Sequence, residues 1–282
     1  MIKDSLAYIV RAEFKLNRIL VAAKWVPGLI KRSYGRVRYG LGLWVYLSRF
    51  CPSPDSPTRI IVSSLRPGDV YFDVGASHGQ MVGMASQVVG GSGLVYAFEP
   101  QTSEMEWLQR MCKAYGLTNV KLFQTLVGDF TGEATFFENA KKCASSSLAQ
   151  EWSGGDPRKY PMVTLDAWAE QNFVDRLNLI KIDVEGAEIM VLRGGLKLLR
   201  RTHPLVILEI RDRQIRQECF GYTISDLMEI LRSVGYAEFY CLRKYGLSRV
   251  NDEQDISSDD HDMLALHGDD ASSGRSLPAL MR

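Results

Sequence analysis

Five short apolar runs, each followed by a turn or a helix-like pattern, constrain the fold more than any other feature of this sequence. They are Val70–Val74, Leu94–Phe98, Val120–Val127, Leu179–Asp183 and Leu205–Glu209. Runs of this length without polar alternation are typical of parallel strands whose two faces are both covered by helices. The pattern therefore predicts a doubly wound, mostly parallel α/β sheet of the Rossmann-like kind.

The region between the third and fourth runs breaks this rhythm. Ala134–Phe137 and Met162–Leu165 have strand-like patterns, and a stretch rich in small polar residues, 144–157, lies between them. Two interpretations of that stretch stay open, a mobile loop over a binding site and an ordinary surface insertion. Near the end of the chain, Tyr236–Leu242 and Asp262–His267 predict an antiparallel pair of strands.

Residues 1–50 differ in charge from the rest of the chain. They hold ten lysines and arginines against two acids, with apolar residues at roughly helical spacing. We expect helices that pack on the main domain with their basic faces in water; the alternative is an arm that contacts an anionic membrane surface or an anionic acceptor. Prolines at 52, 54 and 57 then form a stiff linker. The predicted organisation is a basic helical extension and linker over 1–57, an α/β domain over 58–270 and a tail over 271–282.

Composition argues against several classes of function. The formal net charge is only +1, so the chain lacks the overall basic field of a nucleic-acid-binding protein. The five cysteines are scattered and the four histidines are dispersed, which argues against a disulfide framework and a zinc site. The N-terminal sequence shows neither a secretory signal nor an apolar run long enough to cross a membrane. We therefore expect a cytoplasmic location, with peripheral membrane contact as the alternative.

A glycine-containing loop follows the first apolar run, where the strand turns into a helix. Its sequence is Asp73-Val-Gly-Ala-Ser-His-Gly79. Ligands of doubly wound sheets bind at this edge. A dinucleotide fingerprint needs two further glycines, but the chain has Ser77 and Gln80 at those positions. An acid two residues before the first glycine would repel a pyrophosphate, yet it can accept from the ammonium group of a sulfonium-bearing amino acid.

Acidic residues follow three successive strands. Asp73 is predicted to hold that ammonium group, Glu99 to accept both ribose hydroxyls, and Asp129 to accept from the adenine amino group. Each acid alone could instead stabilise a turn. Taken together they predict a site for S-adenosylmethionine, with the cofactor-binding residues Asp73, Gly75, Ala76, Ser77, Gly79, Glu99, Pro100, Asp129 and Asp183.

With these residues in view, the chain resembles the FkbM family of class I methyltransferases. The resemblance rests on the segments Leu179–Glu188, Tyr71–Gly79, Ala97–Pro100, Val191–Gly195 and Pro204–Ile210, and it covers about residues 65 to 268. It implies seven strands in the order 3-2-1-4-5-7-6 with strand seven antiparallel, and S-adenosylmethionine as methyl donor. It also implies O-methylation, since known members methylate hydroxyls of macrolides, sugars and glycans.

The chain departs from the family pattern at two positions of the glycine loop. Ser77 stands where the family usually has Asn, and His78 where it has an aliphatic residue. Serine keeps a hydrogen-bonding role. The His78 side chain either points into solvent, which we favour, or shifts the preference for the acceptor.

Two acids after the fourth run are the candidate catalytic residues. Asp183 is expected to orient or deprotonate an acceptor hydroxyl, or alternatively to contact the amino-acid end of the donor, and Glu185 follows in the turn. Glu188 is expected to make a helix-terminal contact, and Glu209 is a further candidate. Glu185 and Glu188 could instead bind a divalent metal, but oxygen ligands leave no spacing signature, so no metal site is predicted.

Three other functions fit the sequence less well than a methyltransferase. A nicotinamide-dependent oxidoreductase on a similar sheet is disfavoured by the missing glycine and by Asp73. A non-catalytic relic of the fold is disfavoured by the intact acids. An enzyme that methylates amino groups of flipped bases is disfavoured because the fourth strand ends in Ile-Asp-Val-Glu without an aromatic platform. The expected partner is a small-molecule or glycan acceptor and not a nucleic acid.

Overall fold

The structure, a computed structural model, describes residues 57–139, 146–243, 246–257 and 261–268. All of these residues belong to one unit of the chain. The basic extension before Pro57, residues 140–145 and the predicted tail lie outside the described residues. Within the described part of the chain, no helix is long and apolar enough to span a membrane.

Strands and helices alternate through most of the described residues. The helices are α1 Pro57–Ser64, α2 Gln80–Val89, α3 Thr102–Tyr115, α4 Gln150–Ser153, α5 Leu165–Gln171, α6 Glu188–Arg193, α7 Leu196–Thr202 and α8 Ile224–Ser233. The strands are β1 Val70–Val74, β2 Leu94–Phe98, β3 Val120–Phe123, β4 Leu126–Val127, β5 Gly132–Glu138, β6 Asp156–Val163, β7 Leu179–Ile182, β8 Leu205–Glu209, β9 Tyr236–Arg243, β10 Gly246–Arg249 and β11 Asp262–His267. Short turns of other helical types occupy Gly90–Ser92, Ile215–Cys219 and Glu253–Asp255.

The main sheet has the order β3-β2-β1-β7-β8-β11-β9-β10. Its first five strands pair in parallel, and β11 runs antiparallel to both β8 and β9. With β7, β8, β9 and β11 as strands four to seven, this is the predicted order 3-2-1-4-5-7-6, and the Rossmann-like class is confirmed. The number of strands was wrong by one, because the chain turns back after β9 and adds β10 at the edge.

The register of the parallel strands brings the ends of four of them to one edge. Val74 pairs with Phe98 on one side and with Ile182 on the other, and Ile182 pairs with Leu208. The residues that follow these positions therefore emerge side by side at the carboxyl edge of the sheet, where ligands of doubly wound folds bind.

A second, three-stranded sheet has the order β4-β6-β5. The third apolar run does not form one strand, as predicted, but divides between the two sheets. The Thr125 hydroxyl donates to the carbonyls of Leu126 and Pro161, which directs the chain from β3 toward β6. The predicted strands Ala134–Phe137 and Met162–Leu165 correspond to the longer β5 and to the end of β6.

An aromatic cluster packs beneath the strand ends. The indole of Trp168, on α5, meets the rings of Phe98 and Phe123 edge to face, each with 4.8 Å between ring centroids, and that of Phe72 at 5.4 Å. Such edge-to-face pairs favour one arrangement of rings and add to the free energy gained by burial. The strand ends that carry the polar residues are therefore held on a closely packed support.

Candidate active site

A cavity of about 280 Å³ opens at the carboxyl edge of the main sheet. Its walls come from both sheets, and its volume lies near the lower end of the range for small-molecule sites. Gly75, Ser77, Glu99, Pro100 and Gln101 line it after β1 and β2. Asp183, Glu185, Glu209 and Arg211 line it at and after the ends of β7 and β8, and the apolar lining includes Phe98, Leu126, Val127, Phe136 and Leu148. The cavity is therefore the candidate site for both donor and acceptor.

The glycine loop is shaped by close contact between β1 and β7. A Cβ atom at Gly75 would lie 1.8 Å from the carbonyl oxygen of Asp183, and the backbone there has φ of +85°. Ser77 also has positive φ, at 44°. Of the predicted loop residues, Gly75 and Ser77 line the cavity. Ala76 and Gly79 are buried and shape the loop instead, Ala76 through its N–H, which donates to the carbonyl of Phe98.

Glu99 lies where the sequence predicts a ribose acceptor. Its side chain is buried, and its two oxygens accept from the N–H groups of Ser77 at 2.8 Å and of Gln101 at 2.9 Å. Burial raises the pKa of Glu99 to about 7, although these two N–H bonds oppose the rise. A carboxylate has about four lone-pair sites, so two remain for ribose hydroxyls.

Asp73 lies deeper than predicted. Its side chain is 1% exposed and does not line the cavity, and neither oxygen has a hydrogen-bond partner among the described residues. Burial raises the pKa of Asp73 to about 7, while the nearby Lys181 ammonium opposes that rise. In the structure Asp73 contributes charge beneath the site, and its predicted direct contact with a ligand stays a prediction.

Asp129 does not reach the cavity. It is exposed, follows β4 of the second sheet and is not among the residues that line the site. The prediction assumed one continuous third strand, and the transfer of the chain to the second sheet at Thr125 moves Asp129 away. The wall at this point is formed instead by Thr125, Leu126 and Val127.

Asp183 follows β7 and lines the cavity. Its carboxylate forms an ion pair with the ammonium of Lys181, which is almost completely buried. Burial alone would raise the pKa of Asp183, but the Lys181 charge, hydrogen bonds with Glu209 and Lys181, and the Arg211 charge together lower that pKa below its ordinary value. Asp183 is therefore an anion at neutral pH and a weak base.

Arg211 connects two further carboxyl groups of the cavity. Its guanidinium lies 2.9 Å from Glu185 and 3.1 Å from Glu209. Burial raises the pKa of Glu185 to about 8, against the opposing charge of Arg211. Burial and the neighbouring Asp183 charge raise the pKa of Glu209 well above its ordinary value. Glu185 and Glu209 therefore both carry a proton at neutral pH, while Asp183 is an anion beside Lys181.

The same three carboxyl groups could in principle bind a metal. Asp183, Glu185 and Glu209 offer oxygens that lie within 4.8 Å of one another. Lys181 and Arg211 already form ion pairs with them, so a cation would compete with both. The expectation that no metal is bound stays a prediction.

Glu188 holds the turn that carries the candidate catalytic residues. It is completely buried, one oxygen accepts from the N–H groups of Val184 and Gly186, and the other accepts from the Tyr222 hydroxyl at 2.8 Å. This is the helix-terminal contact expected from the sequence. It fixes the backbone on both sides of Glu185.

His78 faces away from the cavity. Its ring lies 3.4 Å from the Glu104 carboxylate and 6.3 Å from the Trp107 ring, and its side chain is 59% exposed. It is not among the residues that line the site. This position agrees with the favoured interpretation of an outward-facing side chain.

Two cations of the site, Lys181 and Arg211, were not predicted as site residues. A lysine inside a buried apolar strand is unusual unless it is paired, and this was a usable signal for Lys181. Arg211 follows Glu209 by two residues beyond the end of a strand, and a loop position of this kind carries no such signal.

Comparison with known proteins agrees with this site. The sequence matches the family described as "Methyltransferase FkbM domain" over residues 73–237, which is more than half of the chain. No curated protein matches the sequence significantly.

Three solved structures are similar in fold. The methyltransferase FkbM of Methylobacillus flagellatus is 16% identical with a TM-score of 0.47, and the match covers 72% of this chain and 47% of that one. The Aeropyrum pernix fibrillarin, solved with natively bound S-adenosyl-L-methionine, is 13% identical with a TM-score of 0.42 over 72% of this chain and 68% of its own. An S-adenosylmethionine-dependent O-methyltransferase of Thermotoga maritima is 12% identical with a TM-score of 0.41 over 74% and 62%. The chain thus spans about half the length of the first of these, and at these scores the likeness concerns the fold alone.

The match covers the glycine loop, the predicted ribose-binding acid and the turn after β7 within one continuous segment. The chain belongs to the FkbM methyltransferase family.

Proposed function

We propose that this chain transfers the methyl group of S-adenosylmethionine to a hydroxyl oxygen of a sugar, a glycan, a glycolipid or a secondary metabolite. The observation that supports this most is the cluster of Asp183, Glu185 and Glu209, which lines the same cavity as the predicted ribose acceptor Glu99. Three carboxyl groups can accept hydrogen bonds from several hydroxyl groups, as the binding of a polyhydroxylated acceptor requires.

The residues of the cavity fit the donor. Glu99 has unused lone pairs for ribose hydroxyls, and Phe98, Leu126 and Phe136 supply apolar surface for an adenine ring. When bound there, S-adenosylmethionine supplies a methyl group that is already activated by its sulfonium. The chain itself must therefore bind the acceptor, exclude water and remove one proton.

We assign the role of proton acceptor to Glu185. An aliphatic hydroxyl is a weak nucleophile, and a base is most effective when its pKa lies near the working pH. The raised pKa of Glu185, about 8, meets this condition, whereas the lowered pKa of Asp183 does not. As the acceptor oxygen bonds to the methyl carbon and the carbon–sulfur bond breaks, the hydroxyl proton passes to Glu185, while Asp183 accepts a hydrogen bond that orients the acceptor.

The test is a donor-consumption assay on fractionated glycans, glycolipids and small metabolites, with mass and linkage analysis of the product. We expect an O-methyl ether, and a rate that rises with pH up to about 8 because Glu185 must lose its proton to act. Glu185→Gln should abolish this rise and lower turnover by 10²-fold or more, with affinity for S-adenosylhomocysteine kept. A product methylated on nitrogen or carbon, or a Glu185→Gln variant with normal turnover, would refute the proposal.

A further inference from the structure

Three residues of the polar segment, Ser146 to Leu148, lie against the cavity or hydrogen-bond to residues that line it. Ser146 is 2% exposed and Ser147 is completely buried, although both are small polar residues in a connection between strands. Leu148 and Ser146 line the cavity. Buried hydroxyl groups need partners, and the residues that accept from these two, Gln101 and Glu185, line the cavity.

Ser146 connects the segment to residues beside Glu99. The Ser146 hydroxyl donates to the side-chain oxygen of Gln101 at 2.9 Å and accepts from the N–H of Asn139 at 3.0 Å. The N–H of Gln101 in turn donates to Glu99, the predicted ribose acceptor. The segment is therefore tied to the residues that hold the donor.

Ser147 connects the segment to Glu185. The Ser147 hydroxyl donates to the backbone carbonyl of Glu185 at 3.0 Å. Ser147 is itself held by two backbone hydrogen bonds with Phe137, of 2.8 and 3.1 Å. It thus joins a strand of the second sheet to the turn after β7.

Glu185 needs such support because of its backbone. It is not a glycine, yet its φ is +57°, in the left-handed region that costs L-residues energy. This backbone conformation decides where the Glu185 side chain points, toward Arg211 and the cavity. A bond to its carbonyl stabilises the unusual conformation and thereby the direction of the carboxylate.

We propose that Ser147 is a positioning residue that holds Glu185 in place for proton removal from the acceptor. This inference rests on the proposed function, since it assigns Ser147 a role in the proton transfer at that site. Through Ser147, the second sheet supports Glu185 as well as forming a wall of the cavity.

The kinetic test compares Ser147→Ala with Ser153→Ala. Ser153 is also a buried serine, and its hydroxyl donates to the carbonyl of Phe137 at 2.7 Å without lining the cavity. We expect Ser147→Ala to lower kcat by about tenfold with KM for S-adenosylmethionine within about twofold, and Ser153→Ala to leave both near wild type. The rise of kcat with pH should move toward lower pH in Ser147→Ala, because a displaced Glu185 is less buried. A Ser147→Ala variant with wild-type kcat and pH profile would overturn the proposal.

A double-mutant cycle shows whether Ser147 acts through Glu185. In a Glu185→Gln background, adding Ser147→Ala should cause no further loss of kcat, since the group it positions is gone. A further tenfold loss in that background would show an independent effect and would overturn the proposal. Thermal melts of all variants establish that each one folds.

Hydrogen exchange separates this inference from the proposed function, because it needs no acceptor. Exchange of the amides of residues 184–188 should accelerate in Ser147→Ala and not in Ser153→Ala. Equal protection in both variants would overturn the positioning role whatever the acceptor is. Faster exchange together with no methyl transfer to any hydroxyl would support the contact and count against the proposed function alone.

Discussion

The contact between the glycine loop and the turn after β7 gives the most direct structural prediction. Gly75→Ala would place a methyl group 1.8 Å from the Asp183 carbonyl oxygen and 2.8 Å from its carbon. Since this neighbour is a backbone atom, either the loop at Gly75 or the turn at Asp183 must move by more than about 1 Å within a closely packed sheet edge. The positive φ of Gly75 adds a second cost.

The two costs can be added and then separated. Overpacking typically costs about 1–3 kcal/mol and a left-handed L-residue about 1–2 kcal/mol, so Gly75→Ala should lower the free energy of unfolding by about 2–5 kcal/mol. Gly116→Ala is the matched control, because Gly116 also has positive φ, +63°, but a Cβ there would meet nothing within 4 Å. It should lose only the conformational part, about 1–2 kcal/mol.

Urea unfolding and calorimetry with S-adenosylhomocysteine measure both consequences. We expect Gly75→Ala to be less stable than Gly116→Ala by about 1–3 kcal/mol, and to bind S-adenosylhomocysteine at least about tenfold more weakly because the Asp183 backbone moves. Equal stability of the two variants, with ligand affinity kept in Gly75→Ala, would refute the close approach of the two strand ends.

Three further predictions concern the buried polar groups. Tyr222→Phe removes one partner of the completely buried Glu188 and should lower the free energy of unfolding by about 1–3 kcal/mol, measured by urea unfolding. Burial in the folded chain raises the pKa of Asp73 and of Glu99 to about 7, so the folded chain binds more protons than the unfolded chain between about pH 4 and 7. The melting temperature without ligand should therefore fall as the pH rises through 7. A flat or rising profile would contradict this. Lys181→Met leaves the surrounding carboxylates uncompensated and should cost about 3–5 kcal/mol at pH 8, but less at pH 5, where those groups accept protons. An equal loss at both pH values would argue against a charge effect.

The order of the main sheet could be predicted because each strand and helix has a local pattern of its own. The strands Val70–Val74 and Leu94–Phe98 have the predicted bounds. The helix α8 begins with a local signal of the same kind, since Thr223 caps it and Asp226 completes a capping box. The extra strand β10 pairs with β9 at the edge of the sheet, and short edge strands leave little trace in a sequence.

The site was predicted where strand ends fix the residues and missed where contacts are not local. Glu99 and Asp183 directly follow strands of the main sheet, Glu185 lies in the turn after Asp183, and all three line the cavity. Asp129 was misplaced because a continuous apolar run does not reveal that the chain changes sheets at Thr125. Whether Asp73 contacts the donor depends on how deeply its side chain lies below the edge of the sheet. The apolar pattern of a strand buried on both faces does not specify this depth.

The polar segment between β5 and β6 had two open interpretations, and the structure favours a role at the site. Ser146 and Ser147 hydrogen-bond to Gln101 and Glu185, which is not the arrangement of a separate surface insertion. Spacing alone could not show this, because the partners are 45 and 38 residues away in the sequence.

Calorimetric titration with S-adenosylhomocysteine and with NAD tests whether the cavity at the carboxyl edge binds the adenosine of the methyl donor. We expect one S-adenosylhomocysteine bound per chain, no binding of NAD, and affinity reduced by about tenfold or more in Glu99→Gln, which loses charged hydrogen bonds to the ribose. Binding of NAD, no binding of S-adenosylhomocysteine, or an unchanged affinity in Glu99→Gln would contradict this expectation.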